Sequence, residues 1–176
     1  METRVTRTQN TIATALIAAG VVLRLLPHAA NFAPVGAIAL FGGATLSPRL
    51  AITLPLAVMA LSDLLIGLHG TVLFTWSGFV LVGLFGLLLR HKSNWVRVPL
   101  GAAGSALIFY TVSNFGVWVE GKLYAHTLQG LIDCFMAGLP FLKTTFLADL
   151  IYSTALFGAF ALATHRTLQP VTVGAE

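Results

Sequence analysis

Two aspartates interrupt apolar runs of this 176-residue chain, Asp63 near the end of residues 50–68 and Asp149 in the second turn of residues 144–164. A carboxylate inside an apolar span costs about 2.5–3.5 kcal/mol on insertion scales, and is retained where it has a partner or a task. Arg24, near the end of residues 11–27, is the cation at matching depth, able to neutralise one of the two. The other role is ligand contact, and Asp63 is the one expected to make it. No chain of acidic residues continues along these runs, which argues against a proton relay.

Further polar residues follow the same ends of the runs. His28 and Asn31 lie just after Arg24, and His69 follows Asp63. Asn114, Trp118, Glu120, Lys122, Tyr124, His126 and Asp133 follow the fifth run. His28, His69 and His126 invite a metal, yet their spacings match no zinc pattern such as H-x-x-x-H. As lone residues they read as capping histidines. Trp118 and Tyr124 fit an interfacial aromatic belt or stacking on a planar ligand. The single cysteine, Cys134, excludes an internal disulfide and a CxxC centre. It reads as a small apolar residue or a soft metal ligand. No nucleophile-and-base arrangement is present, so no catalytic residue is assigned.

The elements that must position these residues follow from composition. The chain is 57% hydrophobic and 9% charged, against about 25% charged in soluble domains. That excludes a soluble enzyme, and the apolar excess excludes disorder. The fold class expected is all-α, a single polytopic membrane domain with six transmembrane helices near 11–27, 32–46, 50–68, 71–89, 98–119 and 144–164. Residues 1–26 share the basic start and apolar stretch of a signal peptide, but no clear A-x-A site follows and further spans do. Residues 127–142 carry Asp133 and Pro140 and are short for a span. They predict a separate short extracellular interfacial or re-entrant helix.

The net charge of +4 concerns orientation rather than nucleic acid. With both termini inside, Arg4, Arg7, Arg49, Arg90, Lys92, Arg97 and Arg166 are inner, and Arg24, Lys122 and Lys143 are outer. That asymmetry obeys the positive-inside rule and predicts cytoplasmic termini. The polar residues then gather at the outer end, as a pocket roofed by the loops after spans one, three and five. Ala15 and Ala19 form a small-xxx-small pair on the first span, the kind that lets helices approach closely. No repeat is evident, inverted or otherwise.

Residues 24–44, RLLPHAANFAPVGAIALFGGA, with LSDLLIGLH at 61–69, SNFGVW at 113–118 and ADLIY at 148–152, resemble an uncharacterised bacterial membrane family. That family is similar to the S components of energy-coupling-factor vitamin transporters and to solitary cobalamin transporters of the BtuM type. The resemblance implies six helices, the bacterial inner membrane and an outward-open, vitamin-sized pocket. It also implies docking of a coupling module on the first helix, where Ala15 and Ala19 match the Ala-x-x-x-Ala pattern; solitary members work without one. The BtuM-like binders ligate cobalt with a helix cysteine, and the corresponding stretch, FTWSGFV at 74–80, has none. His28 is then the candidate cobalt ligand, since imidazole suits several transition metals, and no corrinoid-modifying activity is expected.

The function expected is vitamin uptake through a substrate-binding membrane protein. Its ligand is cobalamin or another vitamin, bound as substrate rather than as an intrinsic cofactor. Its partners are the bilayer, the vitamin and a coupling module, with no nucleic acid. The substrate-binding residues expected are Arg24, His28, Asn31, Asp63, His69, Asn114, Trp118, Tyr124 and Asp149. The alternatives are a membrane enzyme acting on a lipid or cofactor through Asp63, Asp149 and His28, and an accessory structural subunit.

Overall fold

A long run of Ala, Leu, Val and Phe can satisfy its backbone groups within its own segment, without water, by closing helical hydrogen bonds. Six segments do so in the computed structural model, which describes residues 2–92 and 94–167, with the side chains of residues 2–6, 95 and 164–167 set aside. Arg4 and Arg166, two of the cations used for orientation, therefore lie outside the described side chains. The helices are α1 (Glu2–Leu25), α2 (Val35–Thr45), α3 (Leu50–Ile66), α4 (Val72–Leu88), α5 (Asn94–Glu120) and α6 (Leu128–Thr167). Three contain stretches long and apolar enough to cross a membrane: Arg7–Leu25, Val96–Glu120 and Leu128–Ala163. The other three are apolar but shorter. At 1.5 Å per residue α3 and α4 reach about 25 Å and α2 about 16 Å, against a hydrocarbon core of about 30 Å.

The shortest helix is the centre of the bundle. Every residue from Val35 to Ala44 is buried, and α2 packs against each of the other five helices. A helix apolar all round belongs in an interior, and here glycines let it go there. A Cβ on Gly43 would fall 1.9 Å from the Gly83 carbonyl oxygen, and one on Gly83 would fall 1.9 Å from that of Ala51. The backbones of α2, α3 and α4 meet directly at this crossing. Leu64, Leu65, Leu73 and Leu88 instead point outward and are exposed, as lipid-facing side chains would be.

One expected element is corrected. Residues 127–142 are not a separate interfacial helix: Leu128 to Thr167 is one helix of 40 residues with Pro140 inside it. Pro140 is exposed, and the Thr144 hydroxyl donates to its carbonyl oxygen at 3.2 Å. A proline removes one N–H donor but ends a helix only where the chain has another course to take, and no glycine or second proline follows within 141–150. Asp133 is also on an exposed face, where Gln129 Nε2 donates to it at 2.8 Å one turn away. Likewise α5 starts at Asn94, before Pro99, rather than at residue 98.

Short connections make successive helices antiparallel, so the bundle has two unlike ends. At one, Arg90 donates to the carbonyls of Gly43 (2.8 Å) and Leu46 (2.5 Å), and Arg97 to those of Arg90 and Lys92, both at 2.7 Å. These cations satisfy carbonyls left open at the end of α2 and in the loop that follows α4. The other end, where α1, α3 and α5 finish, holds Arg24, His28, Asn31, Asp63 and His69.

Candidate functional site

Arg24 occupies the last turn of α1 and Asp63 the last turn of α3, and α1 packs along α3. Arg24 Nη1 donates to Asp63 Oδ1 at 2.5 Å and to the Ser62 hydroxyl. The Ser62 hydroxyl donates its own hydrogen bond to the Val58 carbonyl at 2.7 Å, leaving its lone pairs for Arg24. Trp76 Nε1, from the first turns of α4, donates to Asp63 Oδ2 at 2.7 Å. Both Asp63 oxygens thus have donors, and the residue is 1% exposed.

Beside this pair a cavity of about 540 Å³ opens between the helix ends. His28, Asn31 and His69 stand at its exposed rim; Val35, Phe79, Phe109 and Asp149 lie buried in its wall. Phe79 and Phe109 stack with ring centroids 4.4 Å apart, and Phe141 adds a third aromatic wall residue. Polar groups are few: Arg24, Thr75, Ser113, Asn114, Tyr124, Thr145 and Asp149 besides the rim residues. Asn31 turns the chain between α1 and α2 with φ 61°, a left-handed conformation that Asn tolerates better than most side chains.

Asp149 differs from Asp63 in its partners. It is 1% exposed and accepts a hydrogen bond from the Ser105 hydroxyl at 2.5 Å. Its carboxylate lies over the first turn of α2, where a Cβ on Gly36 would fall 2.3 Å from Oδ1. Gly36 is what permits that approach, and the free N–H groups of a helix start favour a carboxylate there. Among the described residues two ion pairs form, Arg24–Asp63 and Lys122–Glu120, and neither includes Asp149. Asn114 is placed in the same manner: a Cβ on Gly138 would fall 2.4 Å from its Oδ1, while its Nδ2 donates to Tyr110 O at 2.8 Å.

Of the nine expected binding residues, Arg24, His28, Asn31, His69, Asn114, Tyr124 and Asp149 line the cavity. Asp63 and Trp118 do not, against expectation. Asp63 stands behind Arg24, its oxygens taken up by Arg24 and Trp76. Trp118 turns into the α5–α6 loop, where its Nε1 donates to Ala125 O at 3.0 Å and its ring meets His126 edge-on at 5.5 Å. His126 Nε2 faces the Val119 carbonyl at 3.1 Å, so this histidine closes the end of α5. Both ring nitrogens of His28 face carbonyl oxygens, Ala29 at 2.8 Å and Arg24 at 3.2 Å, which competes with metal ligation. Among the described residues no three His, Cys, Asp or Glu side chains converge on a metal position. Cys134 is buried; its thiol donates to Asn114 O at 3.3 Å. Ala15 and Ala19 are exposed on α1, whose other face packs inward through Ala13 and Gly20.

Sequence reasoning did not single out Trp76, Ser105 or Gly36. A tryptophan, a serine and a glycine within apolar helices carry no signal of their own; only the fold brings each to a carboxylate. No curated protein matches this chain, and no solved structure does. A family model matches it over residues 4–171, and the chain thereby belongs to DUF6580, a family of unknown function.

Proposed function

We propose that this protein is a substrate-binding membrane protein of the S-component type, taking a vitamin-like small molecule into the cavity between its helix ends for uptake. The observation that carries the reading is the cavity itself. Its volume, about 540 Å³, lies within the range of about 300–1,000 Å³ typical of small-molecule sites, and it has their composition, apolar walls with a few convergent polar groups. A corrinoid outsizes such a space, which favours a smaller ligand than cobalamin. In this reading all six helices cross or enter the bacterial inner membrane, with α2 shielded from lipid by the other five. The cationic end, with Arg49, Arg90, Lys92 and Arg97, faces the cytoplasm with both termini, so the cavity opens outward. The exposed small residues of α1, Ala15 and Ala19, leave a face on which a coupling subunit would dock.

The test is mass spectrometry of small molecules retained by the purified protein and by Ala137→Trp, which fills the cavity from α6. A molecule held by the wild type and lost from the variant is the expected result. Only lipid and detergent in both, or equal retention by both, overturns the reading. Impermeant thiol labelling of intact cells checks the orientation in a cysteine-free background. It should modify Lys122→Cys and spare His91→Cys, and the converse reverses the topology. Ala15→Leu with Ala19→Leu should stop uptake and spare binding; unchanged uptake removes the docking role.

A further inference from the structure

The polar groups of the cavity do not balance in charge, and the imbalance points to a class of ligand. Arg24 is on the wall, but its Nη1 is committed to Asp63 and Ser62, so its charge is already met. His28 turns both ring nitrogens to backbone carbonyls, and His69 bonds the Thr71 hydroxyl through Nδ1 at 3.0 Å. Lys122 is held by Glu120 in the loop at 2.5 Å. That leaves Asp149, on the cavity wall and 1% exposed, with a hydroxyl and a helix start as its neighbours and no ion-pair partner among the described residues. The same cavity is lined by the stacked Phe79 and Phe109 and by Phe141.

The geometry points to a small organic cation with an aromatic or otherwise apolar body as the ligand, its positive group at Asp149 and its body against Phe79, Phe109 and Phe141. Resting on the cavity reading above, this adds the ligand's charge. A buried carboxylate without a counter-charge is costly, and one supplied by the ligand relieves that cost only on binding. Aromatic faces add attraction for a cation where water is displaced. An anion would meet Asp149 with like charge, and a neutral isostere would leave the carboxylate unmatched.

The experiment uses the full chain in phosphatidylcholine nanodiscs, whose zwitterionic surface does not select cations, with empty nanodiscs as blank. Calorimetric titration compares three probes of one shape class: benzyltrimethylammonium, benzyl alcohol and benzoate. The cation should bind at least tenfold more tightly than either of the others. In Asp149→Asn that preference should fall to within about twofold, with Asp149→Ser in its place should the amide variant not purify folded. Equal binding of the three probes, blocked by Ala137→Trp, overturns the cation inference and leaves the cavity reading standing. So does preference for benzoate, or a cation preference that survives in the Asp149 variant. Failure of all three probes to bind overturns both. Equal binding or a benzoate preference in the wild type overturns the inference without any variant, and a wild-type cation preference carries it only if the Asp149 variant loses it.

Discussion

Asp63 and Asp149 are both 1% exposed and both set in apolar helices, but the protein completes one and leaves the other open. Asp63 receives a guanidinium on one oxygen and an indole N–H on the other, and it is not part of the cavity lining. Asp149 receives a hydroxyl and lies on the cavity wall. A finished ion pair ties two helix ends together, here α1 and α3; an unfinished one leaves a carboxylate to be met from elsewhere, as the proposed ligand would. The difference separates two meanings of a carboxylate in a span, which look alike along the chain.

The largest effect should come from breaking the finished pair. Asp63→Asn leaves Arg24 beside Ser62 without its counter-charge, at a site where the Arg24 side chain is 16% exposed. Removing one partner of a buried pair costs about 3–5 kcal/mol, and the partial exposure of Arg24 puts the expectation at the lower end, about 3 kcal/mol. Detergent-solubilised yield and Tm should fall together. Arg24→Met with Asp63→Leu should recover much of the loss, because it removes both charges. A fully stable Asp63→Asn would mean that the pair does not tie α1 to α3, and Asp63 would lose its contrast with Asp149.

The Arg24–Asp63 pair was half legible in the sequence: the two residues end their runs at equal depth, so a pairing could be drawn. What the sequence withheld was which aspartate Arg24 takes. Trp76 helps decide it, and a tryptophan in a span reads the same whether it faces lipid or donates to a buried acid. The bundle's centre was hidden for a related reason. An all-apolar helix such as α2 looks the same facing lipid or wrapped by other helices, and only the Gly43–Gly83 crossing settles it. The continuity of α6 was misread because Asp133 and Pro140 look like breaks along the chain, whereas both lie on exposed faces. The rim was the most legible part, since polar residues at the ends of apolar runs have few other places to go.

A second, smaller effect tests whether Asp149 is held as closely as it is drawn. A methyl on Gly36 would land 2.3 Å from Asp149 Oδ1, so Gly36→Ala must push the carboxylate off the start of α2. Overpacking of a tight interior costs about 1–3 kcal/mol, with some gain from alanine's helix preference against it. The expected net loss is about 1 kcal/mol in Tm-derived stability. The same substitution in an Asp149→Ala background should cost nothing or stabilise, because the space has been vacated. Equal losses in both backgrounds would place the strain elsewhere and undo the account of how Asp149 reaches the cavity.

The smallest effect, and the sharpest contrast with Asp63, is the stability of Asp149→Asn in the absence of ligand. The amide has the same shape, so Gly36 still accommodates it, and its oxygen still accepts from Ser105. What is lost is a charge that no ion pair among the described residues offsets, together with its attraction to the α2 N-terminus, worth about 0.3–1 kcal/mol at exposed helix ends and up to about 2 in partly buried ones. What is gained is relief from burying an unpaired carboxylate, a term of opposite sign. The two should cancel to within about 1 kcal/mol, so Tm should stay close to that of the wild type while Asp63→Asn falls well below it. Thermal unfolding of both variants, side by side in one detergent, is the measurement. Should Asp149→Asn lose as much as Asp63→Asn, the carboxylate at α2 is as structural as the one at Arg24, and the ligand is no longer needed to complete it.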